Sequence, residues 1–182
     1  MNCFIQYWYN IPLHERIMNR KQLFTGVFFL FVHIGFSQSI EIIDVKDMQN
    51  IIHEDTDKTK VINFWATWCK PCIEELPYFE AINADPDFEN VEVILISLDF
   101  VEDLNTKVMK FIEKKELKST IKLLDNVDYN SWIDKVDPSW SGAIPATLLV
   151  NTQADRRMFF EKQFKDSELD NTLKNFEKDL NK

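Results

Sequence analysis

Two cysteines separated by two residues are the most reactive feature of this sequence. Cys69 and Cys72 lie in the stretch WATWCKPC, and the 182-residue chain has one further cysteine, Cys3. In a CxxC pair the second sulfur can reach back to the first, so it can resolve a mixed disulfide formed there. The spacing predicts thiol-disulfide exchange without a bound cofactor, with Cys69 as the exposed attacking thiol and Cys72 as the more buried resolving thiol.

A zinc site and an inert structural bridge are the other uses of such a pair. Zinc needs four ligands, and apart from carboxylates residues 38–182 offer only the two cysteines and His53. A bridge that closes so short a loop gains little chain entropy and is often strained. Redox activity is therefore the favoured interpretation, and no metal is expected.

The neighbouring elements must place the pair at the start of a helix. Residues 60–65 (KVINFW) form a β-branched and aromatic run typical of a buried strand, and a helical pattern begins near Pro71. Unpaired amide groups and the helix dipole favour a thiolate at that position. Lys70 adds a positive charge beside Cys69, and Pro71 suits the first helical turn, where its missing N–H is no loss.

Two further residues have chemistry that could belong to the same site. Glu75 lies three residues after Cys72, on the same helical face, where a carboxylate could take and return a proton. It could equally complement the helix N-terminus with its charge. Pro145 follows Ile144 and opens a predicted strand, which indicates either an edge position or a cis bond in a tight turn.

Strands and helices alternate along the chain, which ends in a hairpin and a last helix. The patterns predict strands at 40–45, 60–65, 91–98, 121–124 and 147–151, helices at 47–53, 73–84, 104–117 and 127–136, a hairpin partner at 157–164 and a closing helix at 167–180. This order is typical of an α/β sandwich with a mixed central sheet. No linker rich in Gly, Pro or Ser divides the chain, so we expect one domain at residues 38–182. We also expect this domain to be a monomer.

The charge of the chain excludes one class of partner. The formal net charge is −9, whereas proteins that bind nucleic acid rely on Lys and Arg to neutralise phosphates. We therefore expect no nucleic acid among its partners.

The first 37 residues have the layout of a secretory signal. Two basic residues (20–21) precede an apolar stretch at 23–36, and small or polar residues follow up to Gln38. A bilayer span needs about 20 apolar residues, so this shorter stretch predicts a leader at residues 1–37, cleaved before Gln38, in preference to an uncleaved membrane anchor. Met18 could be the true start. The mature protein is then expected in the periplasm or cell envelope.

The motifs NFWATWCKPC, EELP and GAIPATLLVN resemble the thioredoxin-like fold. They are most similar to its exported branch of TlpA- and ResA-like thiol-disulfide oxidoreductases, over residues 40–182. The resemblance implies a three-layer sandwich with a mixed central sheet, a terminal β-hairpin and a C-terminal helix. It also implies that most of the long segment from Asp99 to Ile144 is an extra strand-helix insertion before a cis-proline.

The same resemblance implies roles for single residues. Pro145 would be cis and face the two sulfurs, the backbone of Ile144 would bind an extended substrate, and Trp68 would flank the attacking thiol. Glu75 matches a glutamate of this branch, which favours its acid/base role, while Asn63 replaces a buried Asp of cytosolic thioredoxins. The expected substrate-binding residues are Trp68, Lys70, Pro71, Ile144 and Pro145. Trp132 and Trp140 either border the active-site groove or pack into the core.

The expected function is a protein-disulfide reductase of the cell envelope. A thiol peroxidase on the same fold is disfavoured because Trp65 and Trp68 stand where peroxidases have Pro and Thr, and the intact WCKPC argues against a non-catalytic binding module. Expected partners are disulfide-containing envelope proteins, apocytochrome c among the candidates, and a membrane or periplasmic thiol electron donor. The Lys-Pro pair between the cysteines resembles that of reducing thioredoxins more than the Pro-His pair of strong oxidants.

Overall fold

Residues 40–180 are the part of the chain that this computed structural model describes. The predicted leader at residues 1–37, with Met18 and the cleavage before Gln38, lies outside this part and stays a prediction. Among the helices of residues 40–180, none is long and apolar enough to cross a membrane.

A mixed sheet forms the middle layer. Its strands are β1 (Glu41–Ile43), β2 (Thr59–Trp65), β3 (Val91–Ser97), β4 (Thr120–Leu124), β5 (Ala146–Asn151) and β6 (Arg156–Phe160). They lie in the order β1-β4-β3-β2-β5-β6. The first four are parallel to one another, whereas β5 runs antiparallel to β2 and β6 antiparallel to β5. The carboxyl ends of β1 to β4 and the start of β5 therefore meet at one edge of the sheet.

Helices cover both faces of this sheet. They are α1 (Val45–His53), α2 (Lys70–Ala84), α3 (Met109–Lys115), α4 (Ile133–Val136) and α5 (Glu168–Leu180). Helix α1 begins earlier than predicted because Asp44 caps it, its carboxylate accepting the backbone N–H of Asp47. The helix predicted at 104–117 starts with a π-helical turn at Leu104–Val108. The long segment before Pro145 contains α3, β4 and α4, in agreement with the predicted insertion.

Strand β2 is the centre of the core, since all seven of its residues are buried. Its side chains alternate between the two faces. Val61 belongs to a cluster with Phe79 of α2 and Leu173 of α5, and Ile62 to a second cluster with Met48 of α1. Burying each such side chain contributes about 1.5–3 kcal/mol. The three-layer sandwich is therefore confirmed, and a completely buried strand leads into the CxxC.

Both tryptophans of the insertion lie in the core. Trp132 and Trp140 are buried, and their rings pack against each other and against Phe64, with the Phe64 and Trp140 ring centroids 4.7 Å apart. The interpretation that both rings pack into the core is thus right. Trp140 has a second role, because its indole N–H donates to the carbonyl of Ala143 at 2.8 Å. That bond ties the loop before β5 to the core.

Candidate active site

The two cysteines lie where β2 ends and α2 begins, and they form a disulfide. Cys69 is the N-cap of α2, and its Sγ accepts the backbone N–H of Cys72 at 3.3 Å. Pro71 occupies the first turn, as predicted. In the reduced protein the same N–H and the helix dipole would stabilise a thiolate at Cys69, because an anion is favoured at a helix N-terminus.

The accessibility of the two sulfurs differs from the prediction in one respect. Cys72 is fully buried, but Cys69 is only 6% exposed, so the expectation of an exposed Cys69 is wrong in degree. The carbonyl oxygen of Ile144 lies 3.8 Å from the Cys69 Sγ and covers part of it. Trp68, beside the pair, is 63% exposed. Cys69 is still the more accessible sulfur, which agrees with its predicted attacking role.

Lys70 contributes less charge to the site than its position in the sequence suggests. Its side chain is 88% exposed, and its ammonium lies 3.8 Å from the Glu74 carboxylate. Solvent and the opposite charge screen such a pair strongly. We therefore assign the stabilisation of a Cys69 thiolate mainly to the backbone N–H of Cys72.

The loop before β5 brings its backbone to the sulfurs. The Ile144–Pro145 bond is cis, as the resemblance implied. The Glu161 carboxylate holds the loop, accepting the N–H groups of Ser141 (3.1 Å) and Ala143 (3.0 Å) and the Ser141 hydroxyl. Partial burial opposes ionisation of Glu161, but these hydrogen bonds outweigh it and lower its pKa. Sequence reasoning missed Glu161, because no local motif links it to a loop so far upstream.

Removing the charge of Glu161 should loosen this loop. In Glu161→Gln an N–H₂ group replaces one carboxylate oxygen, and the backbone N–H groups of Ser141 and Ala143 bind different oxygens, so one of the two loses its acceptor. We expect the kcat/KM for protein disulfides to fall about tenfold, less than the roughly 10²-fold that a 1 Å displacement can cost. The matched control is Glu168→Gln, which removes a carboxylate bonded to Lys162. Equal rates for both variants would contradict this role.

Glu75 is completely buried, one turn after Cys72. Its Oε1 accepts the side-chain N–H of Asn63 at 2.8 Å, and its Oε2 accepts the backbone N–H of Phe164 at 2.7 Å. Burial raises the pKa of Glu75 to about 7, although both hydrogen bonds act to lower it. A carboxyl group with such a pKa suits proton transfer at neutral pH, which favours the acid/base interpretation over simple charge complementation.

Asn63 connects Glu75 to the strand behind the cis-proline. Its Nδ2 also lies 3.1 Å from the Thr147 hydroxyl and 3.4 Å from the Ala146 carbonyl. Its Oδ1 is buried and has no hydrogen-bond partner among the described residues. Phe164 and Thr147 were not predicted as site residues. Phe164 acts through its backbone N–H, which every residue except proline has, so no residue-type signal marks it.

Asp99 holds the loop that carries Trp68. This buried carboxylate follows β3 and accepts the backbone N–H of Thr67 (2.9 Å) and the Thr67 hydroxyl (2.6 Å). The Ser97 hydroxyl donates to it as well, at 2.8 Å. The segment between β2 and the CxxC is thereby fixed to the neighbouring strand.

Clustered ligand side chains could instead serve a metal ion. Within residues 40–180 no cluster of three or more His, Cys, Asp or Glu side chains is placed to hold one. Two sulfurs at this spacing can exchange with another disulfide, and the pKa of Glu75, about 7, suits a proton acceptor. The arrangement of Cys69, Cys72 and Glu75 is therefore suited to dithiol-disulfide exchange.

Curated relatives that are named for an activity match parts of the chain. The thiol-disulfide oxidoreductase ResA of Oceanobacillus iheyensis is 40% identical over 60 residues, 33% of this chain and 30% of that protein. ResA of Geobacillus thermodenitrificans is 29% identical over 110 residues, 59% of this chain and 58% of that protein. The chain thus aligns with less than two thirds of the length of these relatives.

A structural comparison and a family model cover more of the chain. A thioredoxin-related protein from Neisseria meningitidis serogroup B superposes with a TM-score of 0.56, covering 68% of this chain and 87% of that one. At 18% identity, this likeness concerns the fold alone, and it supports the thioredoxin-like sandwich. The model of the AhpC/TSA family matches residues 38–155. This match spans more than half of the chain and includes the disulfide, Glu75 and the cis-proline, so the chain belongs to the AhpC/TSA family.

Proposed function

We propose that this protein is a thiol-disulfide oxidoreductase that reduces disulfides in other proteins. The observation that supports it best is the Cys69–Cys72 disulfide at the N-terminus of α2, with the buried carboxyl group of Glu75 one turn further on. The two ResA relatives, named as thiol-disulfide oxidoreductases, support the same reaction class. The proposed site consists of Cys69, Cys72 and Glu75.

The first step forms a mixed disulfide. In the reduced protein the Cys69 thiolate attacks one sulfur of the substrate disulfide, and a new bond joins the Cys69 Sγ to that sulfur. The other substrate sulfur leaves as a thiolate and takes a proton from water. The backbone of Ile144, whose carbonyl lies 3.8 Å from the Cys69 Sγ, binds the extended substrate segment next to this bond.

The second step releases the reduced substrate. Cys72 gives its proton to the Glu75 carboxylate, and the resulting thiolate attacks the Cys69 Sγ. The Cys69–Cys72 disulfide forms, and the second substrate sulfur leaves as a thiolate that is protonated in solvent. Two electrons have then moved from the protein dithiol to the substrate disulfide. An external dithiol reduces the protein again, and Glu75 returns its proton to Cys72.

We further propose that the protein acts in the cell envelope as a domain spanning residues 38–182. The predicted leader at residues 1–37 supports export, and oxidising compartments are where protein disulfides form and persist. Its substrates are then disulfide-containing envelope proteins, with apocytochrome c as one candidate. A membrane or periplasmic thiol donor supplies the electrons.

Insulin reduction by dithiothreitol, followed by precipitation of the freed chains, tests this function. The full chain is expected to accelerate precipitation and not to consume hydrogen peroxide. Peroxide turnover without insulin reduction would favour the peroxidase alternative, and no turnover of either kind would favour a non-catalytic module. A titration against glutathione then sets the direction, because a midpoint near about −120 mV, typical of strong oxidants, would contradict a reductase.

A further inference from the structure

An exposed apolar surface borders the redox site. Among the described residues, six large hydrophobic side chains are exposed, and four of them follow the carboxyl ends of β2, β3 and β4. These four are Trp68, Phe100, Val127 and Tyr129. The other two, Ile42 and Met158, lie on the edge strands β1 and β6. Apolar side chains gathered at one place on a surface commonly mark an interaction site.

Three of these side chains line a groove of about 120 Å³ between the loops that follow β3 and β4. They are Phe100, Val127 and Tyr129. Asp99 lines the groove as well, and its carboxylate also binds Thr67, the residue before Trp68. The groove is therefore linked directly to the wall of the redox site. We call this surface the β3/β4 groove; it comprises these three residues and the acidic residues Asp99, Glu102 and Asp125.

The charged residues that line the β3/β4 groove are all acidic. Glu102 and Asp125 line it, and Asp128 is exposed on the same loop as Asp125. Residues 98–106 and 125–134 contain no Lys or Arg. Lys107, the next basic residue after β3, is bound to Asp103 at 2.8 Å. The groove thus presents a negative potential, which attracts basic side chains.

The order of strands places this groove on the side of β2 opposite to Ile144 and Pro145. Strand β5, which Ile144 and Pro145 precede, lies on one side of β2, and β3 and β4 lie on the other. A substrate sulfur that meets Cys69 at the end of β2 has its polypeptide running along Ile144 on the first side. The polypeptide on the other side of that sulfur would then face the loops after β3 and β4.

We propose that the β3/β4 groove binds the substrate segment next to the reactive cysteine and prefers segments with a Lys or Arg beside an apolar residue. This inference rests on the proposed function and specifies its substrate class. The occupant is an extended segment of another protein. Its apolar residue contacts Phe100, Val127 and Tyr129, and its cation pairs with the acidic border.

Matched disulfide peptides test this preference with the full chain. One peptide has Lys and Phe beside its disulfide, a second has Glu and Phe, and a third has Lys and Ser. We expect the kcat/KM of the first to exceed that of the second about tenfold at low salt, within the range of electrostatic steering. This ratio should fall towards about twofold at about 0.3 M salt, because salt screens exposed charges. The kcat/KM of the peptide with Lys and Ser should be lower than that of the peptide with Lys and Phe, because serine lacks the apolar contact.

Paired variants assign the effect to the groove. Asp125→Asn/Asp128→Asn should reduce the Lys-to-Glu ratio to about twofold, since it removes the attracting charges. The control Asp55→Asn/Asp57→Asn removes the same charge before β2, at the opposite edge of the sheet, and should keep the ratio. Phe100→Ser should remove the preference for Phe over Ser, whereas Met158→Ser on β6 should not.

The outcomes separate the two proposals. If the wild-type protein reduces none of the peptides, the proposed function fails. If it reduces them all at equal rates, or if the control pair removes the preference as fully as Asp125→Asn/Asp128→Asn, only the β3/β4 groove proposal is overturned.

Discussion

Insulin reduction is expected to fall to the uncatalysed rate when Cys69 is replaced by serine. A serine hydroxyl is not ionised at neutral pH, so it cannot attack a disulfide as the thiolate does. Cys72→Ser should also stop turnover, but after the first step. Cys69 still attacks, no second sulfur resolves the product, and a covalent adduct with the substrate accumulates. Non-reducing electrophoresis and intact-protein mass spectrometry measure this adduct.

The third cysteine of the chain supplies the control. Cys3→Ser should reduce insulin at the wild-type rate, because Cys3 lies in the predicted leader. If Cys69→Ser formed the stable adduct and Cys72→Ser did not, the two roles would have to be exchanged. Wild-type turnover in Cys69→Ser would remove the basis of the proposed function.

The second large effect concerns Glu75 and the pH dependence of the reaction. The carboxylate can accept the proton of Cys72 only when it is ionised, so the rate of resolution should rise as pH passes the Glu75 pKa of about 7. Glu75→Gln removes this acceptor and should slow resolution about 10²-fold at neutral pH. The inflection near this pKa should disappear from its pH profile, measured by stopped-flow fluorescence.

Glu75→Gln should also change how the free energy of unfolding depends on pH, because Glu75 binds a proton more tightly in the folded protein than in the unfolded chain. The pKa of Glu75 is raised from its ordinary value of 4.5 to about 7, so between these values the folded protein binds more protons than the unfolded chain. Stability therefore falls as pH rises through this window, by about 3 kcal/mol in total. Below the window, where both states are protonated, the burial of Glu75 has no such cost.

Urea unfolding of the oxidised protein at about pH 5 and about pH 8 measures this loss. Glu75→Gln should lack it and should be more stable than wild type at the higher pH. Glu74→Gln, an exposed neighbour on the same helix, is the control and should keep the wild-type pH dependence. Identical pH dependence in Glu75→Gln and Glu74→Gln would show that Glu75 does not titrate as described.

The surroundings of Glu75 can accept its protonated form. Asn63 donates its Nδ2 to the carboxylate, while its buried Oδ1 has no partner in the described structure. Rotation of the amide would turn Oδ1 towards Glu75, where it could accept an O–H from the acid or an N–H from a glutamine. The N–H of Phe164 can remain bonded to the other oxygen in each case. This is the physical reason to expect that Glu75→Gln folds normally.

Features that depend on neighbouring residues could be predicted from the sequence. The alternation of strands and helices and the closing hairpin follow from local periodicity, and the structure confirms them. Pro71 and Cys69 at the start of α2 follow from capping preferences. The ends of helices are harder to predict, as α1 shows. Asp44 and Asp47 are both good capping residues, and in the structure Asp44 is the one that caps the helix.

Features that depend on distant segments could not be predicted. Glu161 binds Ser141 and Ala143 only because β6 follows β5 back along the sheet. The partial covering of Cys69 depends on Ile144, which is far away in the sequence. Trp140 was assigned to either groove or core, and packing against Phe64 placed it in the core.

The chemistry available to the site follows from one short stretch of sequence, which supplies two sulfurs at CxxC spacing, a helix N-terminus beneath them and a carboxyl group one turn later. These are properties of a few adjacent residues, so local physics is sufficient. The proton affinity of that carboxyl group depends on the fold, because its burial and its hydrogen bonds from Asn63 and Phe164 come from three separate segments. The fold likewise brings Phe100, Val127 and Tyr129 into one groove, since parallel strands bring their following loops to the same edge of the sheet.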